Sequence, residues 1–255
     1  MGGFDNAKMV KINNKEVDSI KTNNGGIIYQ RPTSIVVTGN SITLGKTTRN
    51  WLIGDNGVTI NWGDGTSSVY NQGAYSTTMN HTYTDGKSNH TITFVGIVTQ
   101  LTGAFQDSNI ISIVMSDGVV TLGRYCFEKC ANLNSVVLPN SVTSLGLQCF
   151  AQCTSLTTII LPNSITNIDP LCFNGCTSLT SITIPNSITN LGDSCFYGCT
   201  ALVNYQLYWT GNNIITYNSN KMPNNTNTKF YVPKGQKTNY VNKGYPSAKV
   251  VERSS

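Results

Sequence analysis

The sequence is poor in charge and in long apolar runs. Its 17 basic and 12 acidic side chains make up 11% of 255 residues, against about 25% in an ordinary soluble domain. No stretch approaches the roughly 20 apolar residues that cross a bilayer, and the first residues lack the apolar segment of a secretory signal. These features exclude a charge-rich disordered tail and a long coiled coil, and we expect neither membrane insertion nor a secretory leader.

Motifs of the common enzyme classes are missing as well. There is no Walker loop, GxGxxG, HExxH or GxSxG motif. The carboxylates of the central region do not recur so as to pair two of them in one cleft, as a glycosidase needs. Between Lys221 and Arg253, seven basic residues accompany Glu252 alone, without the row of arginines and aromatics of a nucleic-acid binder. We predict no enzyme, no catalytic residue, no cofactor and no nucleic-acid partner.

The sequence does contain a repeat of 23 residues. A Cys-Phe-x-x-Cys segment starts at four positions: Cys126, Cys149, Cys172 and Cys195. All eight cysteines lie in these segments, and an L-x-x-I-x-L-P-N-S pattern separates them, as from Leu156 to Ser164. Weaker copies extend upstream to Ile92 and downstream to Leu207. About five or six copies are enough for a stacked repeat architecture.

Stacking explains why the repeat exists. One coil of 23 residues cannot bury its own apolar side chains, but coils about 4.8 Å apart bury them in continuous ladders. Alternation within each strand sends Ile159 and Leu161 inward and leaves Ile160 outward. Pro162 ends the strand, and the Cys-Phe-x-x-Cys segment is predicted to form one helical turn. The pattern therefore predicts a solenoid of parallel strands with short helical turns.

The pattern L-x-x-I-x-L-P-N-S-V-T-x-L-G-x-x-C-F-x-x-C-x-x-L resembles the BspA-like class of leucine-rich repeats over about residues 92 to 251. The usual first small residue of that class is Ala, where this chain has Cys126 and its equivalents. Residues 229–251 resemble the terminal strand, short helix and closing strand of the class. The resemblance implies an adhesion or recognition module of a microbial surface protein or a phage-type protein.

A second resemblance concerns residues 32 to 94. Residues 58–66 contain W-G-D-G-T, residues 81–83 read H-x-Y, and residues 91–94 form a last alternating strand. This order resembles the polycystic-kidney-disease (PKD) type of immunoglobulin-like β-sandwich. Since the last strand precedes Leu101 by the spacing found in the repeats, we predict that it is also the first strand of the solenoid. The sandwich would then cap the solenoid without a linker.

The predicted fold is mainly β: a PKD/Ig-like β-sandwich followed by a short leucine-rich-repeat solenoid. Its predicted segments are an N-terminal hairpin for attachment (1–30), the sandwich (31–94), the solenoid (95–228) with an Asn-rich insertion (210–227), and a C-terminal cap (229–255). The hairpin is too small to bury a core alone. Its predicted use is docking onto the sandwich, another copy or a larger particle.

Three interpretations of the cysteines are open: buried free thiols, disulfide bridges between neighbouring coils, or metal ligands. A weaker upstream copy has Ala104 and Ser108 in the two cysteine positions, which favours small buried packing positions. Zinc sites use other spacings, so we predict no metal. His81 and His90 have no nucleophile in pattern, and we predict a structural role for His81. Asp64 is predicted to serve a turn.

The outward strand positions form two columns on successive coils. The first column is Ser112, Ser135, Thr158, Ser181 and Asn204. The second is Val114, Val137, Ile160, Thr183 and Gln206. We call these ten residues the open strand face. It is uncharged and partly apolar, which is typical of binding by surface complementarity, although ordinary strand formers on a wet sheet give the same pattern.

Aromatic residues gather at the carboxyl end of this face. Tyr205 is a core position by register, whereas Tyr208 and Trp209 are predicted as exposed contact residues. The predicted ligand-binding residues are Thr158, Ile160, Ser181, Thr183, Gln206, Tyr208 and Trp209.

The sequence thus favours a non-enzymatic recognition or adhesion module that binds a protein or a surface glycan through the open strand face. Display on a cell surface or a virus particle is the predicted setting. The alternative is a phage-type virion structural or decoration protein, attached to other virion proteins through residues 1–30. An enzyme such as a glycan hydrolase is the weakest of the three hypotheses.

Overall fold

The computed structural model describes residues 10–12, 15–17, 20–23, 26–29, 33–38, 41–45, 52–54, 58–70, 79–95, 98–115, 118–210, 213–219, 223 and 225–254. For the strands before residue 41 and for residues 52–54, it describes backbone pairing only.

The chain is built almost entirely of short strands. The strands before the repeats are β1 (Val10–Ile12), β2 (Lys15–Val17), β3 (Ile20–Asn23), β4 (Gly26–Tyr29), β5 (Thr33–Thr38), β6 (Ser41–Leu44), β7 (Leu52–Gly54), β8 (Val58–Asn61), β9 (Ser67–Tyr70), β10 (Met79–Thr82) and β11 (Asn89–Val95). Those of the repeats are β12 (Val98–Leu101), β13 (Ile110–Val114), β14 (Thr121–Leu122), β15 (Ser135–Val137), β16 (Ser144–Leu145), β17 (Thr158–Ile159), β18 (Asn167–Ile168), β19 (Ser181–Ile184), β20 (Asn190–Leu191) and β21 (Asn204–Leu207). The cap contains β22 (Lys229–Val232), α1 (Lys237–Asn242), a 3-10 turn (Ser247–Lys249) and β23 (Val250–Glu252).

The repeats form a solenoid of parallel strands, as predicted, with about six turns. One ladder runs through β12, β14, β16, β18 and β20 and places Leu145 between Leu122 and Ile168. The other side of each coil carries β13 and β15 in one sheet, and β17, β19, β21, β22 and β23 in a second sheet. Strands β15 and β17 lie in successive coils but do not pair, so two sheets carry the open strand face.

The predicted helical turn at each Cys-Phe-x-x-Cys segment is wrong. The segments are successive turns with left-handed backbone at two positions per coil, for example Gln148 (φ 54°) and Gln152 (φ 59°). This backbone directs N–H groups to the next coil, so that Phe127 N donates to Cys149 O at 2.7 Å. An α-helix keeps its N–H groups within the segment, whereas here the turns form a third hydrogen-bonded ladder. Within the described residues α1 is the single α-helix.

A column of stacked phenylalanines fills the centre of the solenoid. Adjacent ring centroids are 5.1 to 5.5 Å apart and the rings are within 11° of parallel. The column consists of Phe105, Phe127, Phe150, Phe173 and Phe196. Phe94 closes one end edge-to-face at 6.2 Å, and Tyr205 closes the other at 5.2 Å. The core is therefore continuous from the N-terminal strands to the cap.

The junction with the N-terminal strands differs from the prediction. Strand β11 is not the neighbour of the solenoid, because β5 lies between β11 and β13 and pairs antiparallel with both. Strand β7 likewise pairs antiparallel with β12. These added strands cover edges that would otherwise be open, and the solenoid continues into a six-stranded sheet ordered β15-β13-β5-β11-β8-β9. A separate PKD-like sandwich is not shown.

Two hairpins precede this sheet. β1 pairs with β2, which matches the predicted hairpin, and β3 pairs with β4. Each is a two-stranded sheet by itself. The proposed boundaries of the four segments stay predictions. In the part of the chain that the structure describes, no helix has the length and apolarity needed to cross a membrane.

Candidate functional site

The open strand face is a continuous row of outward side chains. In its first column Ser135 and Thr158 are exposed and the others are half-buried. The second column is more accessible at one end: Val114 is 50%, Val137 51% and Ile160 80% exposed. None of the ten residues carries a charge. The face therefore offers apolar and hydroxyl groups to a partner.

Strand alternation holds these side chains outward. Their neighbours Val136, Ile159 and Ile182 are at most 7% exposed and belong to the core. β17 ends at Ile159, so Ile160 stands one residue beyond the ladder, where it is the most exposed of the large apolar residues described. The sequence placed Ile160 outward, but the unequal exposure along the column depends on how far each strand extends.

Tyr208 is at the carboxyl end of the face and is 43% exposed. The Arg253 guanidinium carbon lies 3.7 Å from the centroid of its ring, and Arg253 Nη2 donates to Leu207 O at 3.1 Å. This cation–π contact gives the predicted contact residue a positive neighbour. Sequence reasoning missed Arg253, because it lies outside the repeats and no spacing relates it to Tyr208.

The expectation of an exposed Trp209 is wrong. Its side chain is fully buried, and its Nε1 donates to Ile188 O at 2.9 Å. Tyr240 donates its hydroxyl to Trp209 O at 2.8 Å. Trp209 continues the inward phase of Tyr205 and Leu207, both of them buried. Extending the alternation by one step would have found this, whereas composition alone suggested a surface contact.

The cysteines form a buried ladder of free thiols, as favoured from the sequence. The second cysteine of each segment donates its Sγ–H to a phenylalanine carbonyl of the coil before, as Cys153 does to Phe127 O at 3.1 Å. Burial raises the pKa of Cys130 and Cys199 to about 12. Because a thiolate is the nucleophile and metal ligand, such thiols are inert. The described residues also contain no group of three or more His, Cys, Asp or Glu arranged to hold a metal ion.

Both histidines pair with a carboxylate in the N-terminal strands. His81 Nε2 is 2.7 Å from Asp64 Oδ2, and His90 Nε2 is 2.8 Å from Asp85 Oδ1. Asp64 Oδ1 also accepts from the Thr66 backbone and hydroxyl, and these bonds hold the pKa of Asp64 below its usual range. An aspartate fixed in its own turn fits the structural role predicted for Asp64 and His81.

Parallel ladders with a 23-residue step, an inward Leu/Ile/Phe core and an open outer face define a leucine-rich-repeat solenoid. More specifically, residues 101–226 are a BspA-type leucine-rich repeat region, matched in six copies. The match confirms the family expected for the repeats. It does not reach residues 32–94, where the PKD resemblance stays a prediction. A repeat fold of this kind indicates a protein-binding or adhesion module.

Three solved structures show similarity. A leucine-rich repeat protein from Bacteroides ovatus is 33% identical over 45% of this chain and 28% of its own, with a TM-score of 0.41. A leucine-rich cell surface protein from Faecalibacterium prausnitzii is 25% identical over 44% and 35%, with a TM-score of 0.37. The pneumococcal vaccine antigen PcpA is 16% identical over 63% and 47%, with a TM-score of 0.44. This chain thus spans less than half of each, and no curated protein matches it.

Proposed function

We propose that the protein is a non-enzymatic recognition or adhesion module, displayed on a cell surface, that binds a protein or a glycan through the open strand face. The observation that supports this most directly is the second column, whose β-branched residues Val114, Val137 and Ile160 are half or more exposed side by side. Contiguous exposed apolar groups rimmed by polar residues are typical of interaction sites.

The proposed contact residues are those predicted from the sequence without Trp209, which is buried. They are Thr158, Ile160, Ser181, Thr183, Gln206 and Tyr208. Val114 and Val137 join them because their exposure equals or exceeds that of Tyr208. The virion alternative depends on residues 1–30, whose side chains lie outside the described residues, and no observation favours it.

The test is binding of the full chain to arrays of surface proteins and glycans. We expect the double variant Ile160→Lys, Thr183→Lys to lose binding at least tenfold, because it places two charges in an uncharged face. Val120→Lys is the matched control: Val120 is 40% exposed but precedes β14, in the other ladder. Equal loss in the control, full retention in the double variant, or no ligand for the wild type on either array would contradict the proposal.

A further inference from the structure

The open strand face changes its chemistry along the solenoid. It begins with the exposed apolar side chains of Val114, Val137 and Ile160 and continues with the half-buried polar side chains of Thr183 and Gln206. The two columns then extend into the cap, since Asn204 pairs with Lys229 and Gln206 with Tyr231 in the β21/β22 register. One end is therefore aliphatic, and the other is polar and aromatic.

The cap adds positive charge at the polar end. Lys229 is exposed, and Arg253 lies over the ring of Tyr208. Among the described residues neither cation has an acidic partner: Lys229 Nζ meets the Ala248 carbonyl and Arg253 the Leu207 carbonyl. Their charge is available to a ligand.

No nearby acid offsets these cations. Between residues 194 and 251 the sequence contains no Asp or Glu. Glu252 is used elsewhere, since its Oε1 accepts from the Lys237 backbone N–H at the start of α1. The polar end of the face therefore selects for a negative group in the partner.

The dimensions limit what can lie on the face. Its two columns are about 7 Å apart, since alternate residues of a strand share a face. From Val114 to Tyr231 there are five strand spacings, or about 24 Å, which an extended polypeptide covers with about seven residues. Such a strip is far smaller than the roughly 800 Å² per partner of a standard protein interface. It fits a narrow, extended occupant.

We infer that the open strand face, with its extension into the cap, binds an extended polypeptide segment that is apolar at one end and acidic at the other. Two or three aliphatic side chains of the segment contact Val114, Val137 and Ile160. One or two carboxylates, about 14 Å or four residues further along, meet Lys229 and Arg253. This inference rests on the proposed function and specifies its partner.

A polypeptide fits better than a neutral glycan for two reasons. The apolar end offers aliphatic side chains and no aromatic ring on which a sugar could stack, and Arg253 already covers one face of the ring of Tyr208. A neutral glycan would also leave Lys229 and Arg253 without a partner charge. Extended peptides present alternate side chains on one side, which matches a row of apolar contacts.

The test uses fluorescence anisotropy of the full chain with two labelled nine-residue peptides. Both have Val, Ile and Val at positions 1, 3 and 5 with Ser or Thr between them, and they differ only in Asp or Lys at positions 8 and 9. We expect the Asp peptide to bind at least tenfold more tightly than the Lys peptide at low salt. Screening at 0.5 M salt should reduce the difference to about twofold or less.

Two sets of variants locate the contacts. The triple variant Val114→Thr, Val137→Thr, Ile160→Thr keeps β-branched strand formers and should bind the Asp peptide at least tenfold more weakly. Lys229→Gln with Arg253→Gln should remove the preference for Asp over Lys. Matched controls are Val69→Thr with Val120→Thr, two exposed valines outside the face, and Lys237→Gln. Thermal unfolding confirms that each variant is folded.

Failure of this inference differs from failure of the proposed function. Equal affinity for the two peptides, no binding of the Asp peptide, or undiminished binding by the triple variant overturns the polypeptide assignment. If an array ligand such as a neutral glycan still binds and is lost in Ile160→Lys, Thr183→Lys, the recognition function holds and only its partner is wrong. If no ligand depends on the face, both proposals fail.

Discussion

The cysteine positions show how single residues meet two demands in every coil. Each must be small enough for neighbouring coils to approach, and the second must also satisfy a carbonyl of the coil before. A thiol does both, as Cys176 does by donating to Phe150 O at 3.1 Å. In the first coil Ala104 and Ser108 take the two positions and are also buried. The position therefore selects for size and weak donor ability, not for thiol reactivity.

Burial of the thiols predicts alkaline instability. Seven cysteines have a pKa above the ordinary value of 9 in the folded chain, with burial as the main cause. Above pH 9 the unfolded chain releases these protons and the folded chain keeps them. Stability is therefore complete below about pH 9 and falls as pH rises, by about 1 kcal/mol per pH unit for each thiol. Urea unfolding at pH 8, 9 and 10 measures this fall.

A single-site variant isolates the thiol contribution. Cys130→Ala removes one thiol whose folded pKa is about 12, so the decline between pH 9 and 10 should become shallower by about 1 kcal/mol per pH unit. Its stability at pH 7 is the internal reference for lost packing. A free energy of unfolding that does not change between pH 8 and 10 would contradict the prediction.

The left-handed turn positions predict a stabilising substitution. Gln152 has φ 59° and is exposed, while its equivalents in the next two coils are Gly175 and Gly198. Left-handed backbone costs a non-glycine residue about 1–2 kcal/mol, and glycine loses part of this in chain entropy. Gln152→Gly should therefore raise the free energy of unfolding by about 1 kcal/mol, and Gly175→Ala should lower it by about as much.

Urea unfolding of three variants checks this explanation. Gln152→Ala keeps the strained backbone and removes the side chain, so it reports contacts of the glutamine alone. An added Cβ at Gly175 would lie 3.4 Å from Gln152 Cγ, an ordinary contact. If Gln152→Gly and Gln152→Ala have the same stability, backbone strain is not the cause.

At the scale of the coil, one glycine column sets how closely coils approach. A Cβ on Gly146 would lie 2.6 Å from the backbone of Gly123, and a Cβ on Gly192 would lie 2.1 Å from Pro170 N. Backbone atoms of neighbouring coils cannot move apart without breaking ladder bonds such as Gly192 N to Ile168 O, at 2.7 Å. The glycines are thus required by packing between coils and not by φ.

Gly192→Ala should destabilise the solenoid by about 3 kcal/mol, at the upper end of the cost of overpacking. Gly235→Ala is the control, because Gly235 has φ +74° and nothing within 4 Å of an added Cβ. It should cost only the backbone strain of about 1–2 kcal/mol. Free energies of unfolding in urea measure both, and a loss at Gly192 no larger than at Gly235 would refute the packing explanation.

At the scale of the whole molecule, β5 joins the N-terminal strands to the solenoid. It pairs with β11 on one side and β13 on the other, so its removal would leave two unpaired edges that pair readily with other chains. A chain that starts at residue 31 should keep the oligomeric state of the full chain. A chain that starts at residue 41 should self-associate.

Analytical ultracentrifugation of the two shortened chains measures this difference. The first hairpins pair only within themselves in the described residues, which is why the shorter deletion should be harmless. Self-association of both chains would show that residues 1–30 protect the fold as well. If neither associates, β5 does not protect these edges.

The regular spacing of the repeats made part of the site predictable. The 23-residue step alone places Thr158, Ser181 and Asn204 in one row, and the ladder register agrees. The buried Trp209 and the contact between Tyr208 and Arg253 were not predictable in this way. They depend on the cap, which lies outside the period and whose residues meet the face only after folding.

The sequence by itself determined the solenoid, its inward core and its uncharged outer row, because these depend on a local alternation repeated at a fixed step. Only the tertiary structure decided the left-handed turns, the insertion of β5 and the positive end of the face. Left-handed backbone at Gln148 or Leu171 is not a preference of those residues, and it forms because each coil must donate hydrogen bonds to the next. Pairing between distant strands such as β5 and β13 follows from unpaired edges meeting in space, which no local pattern records.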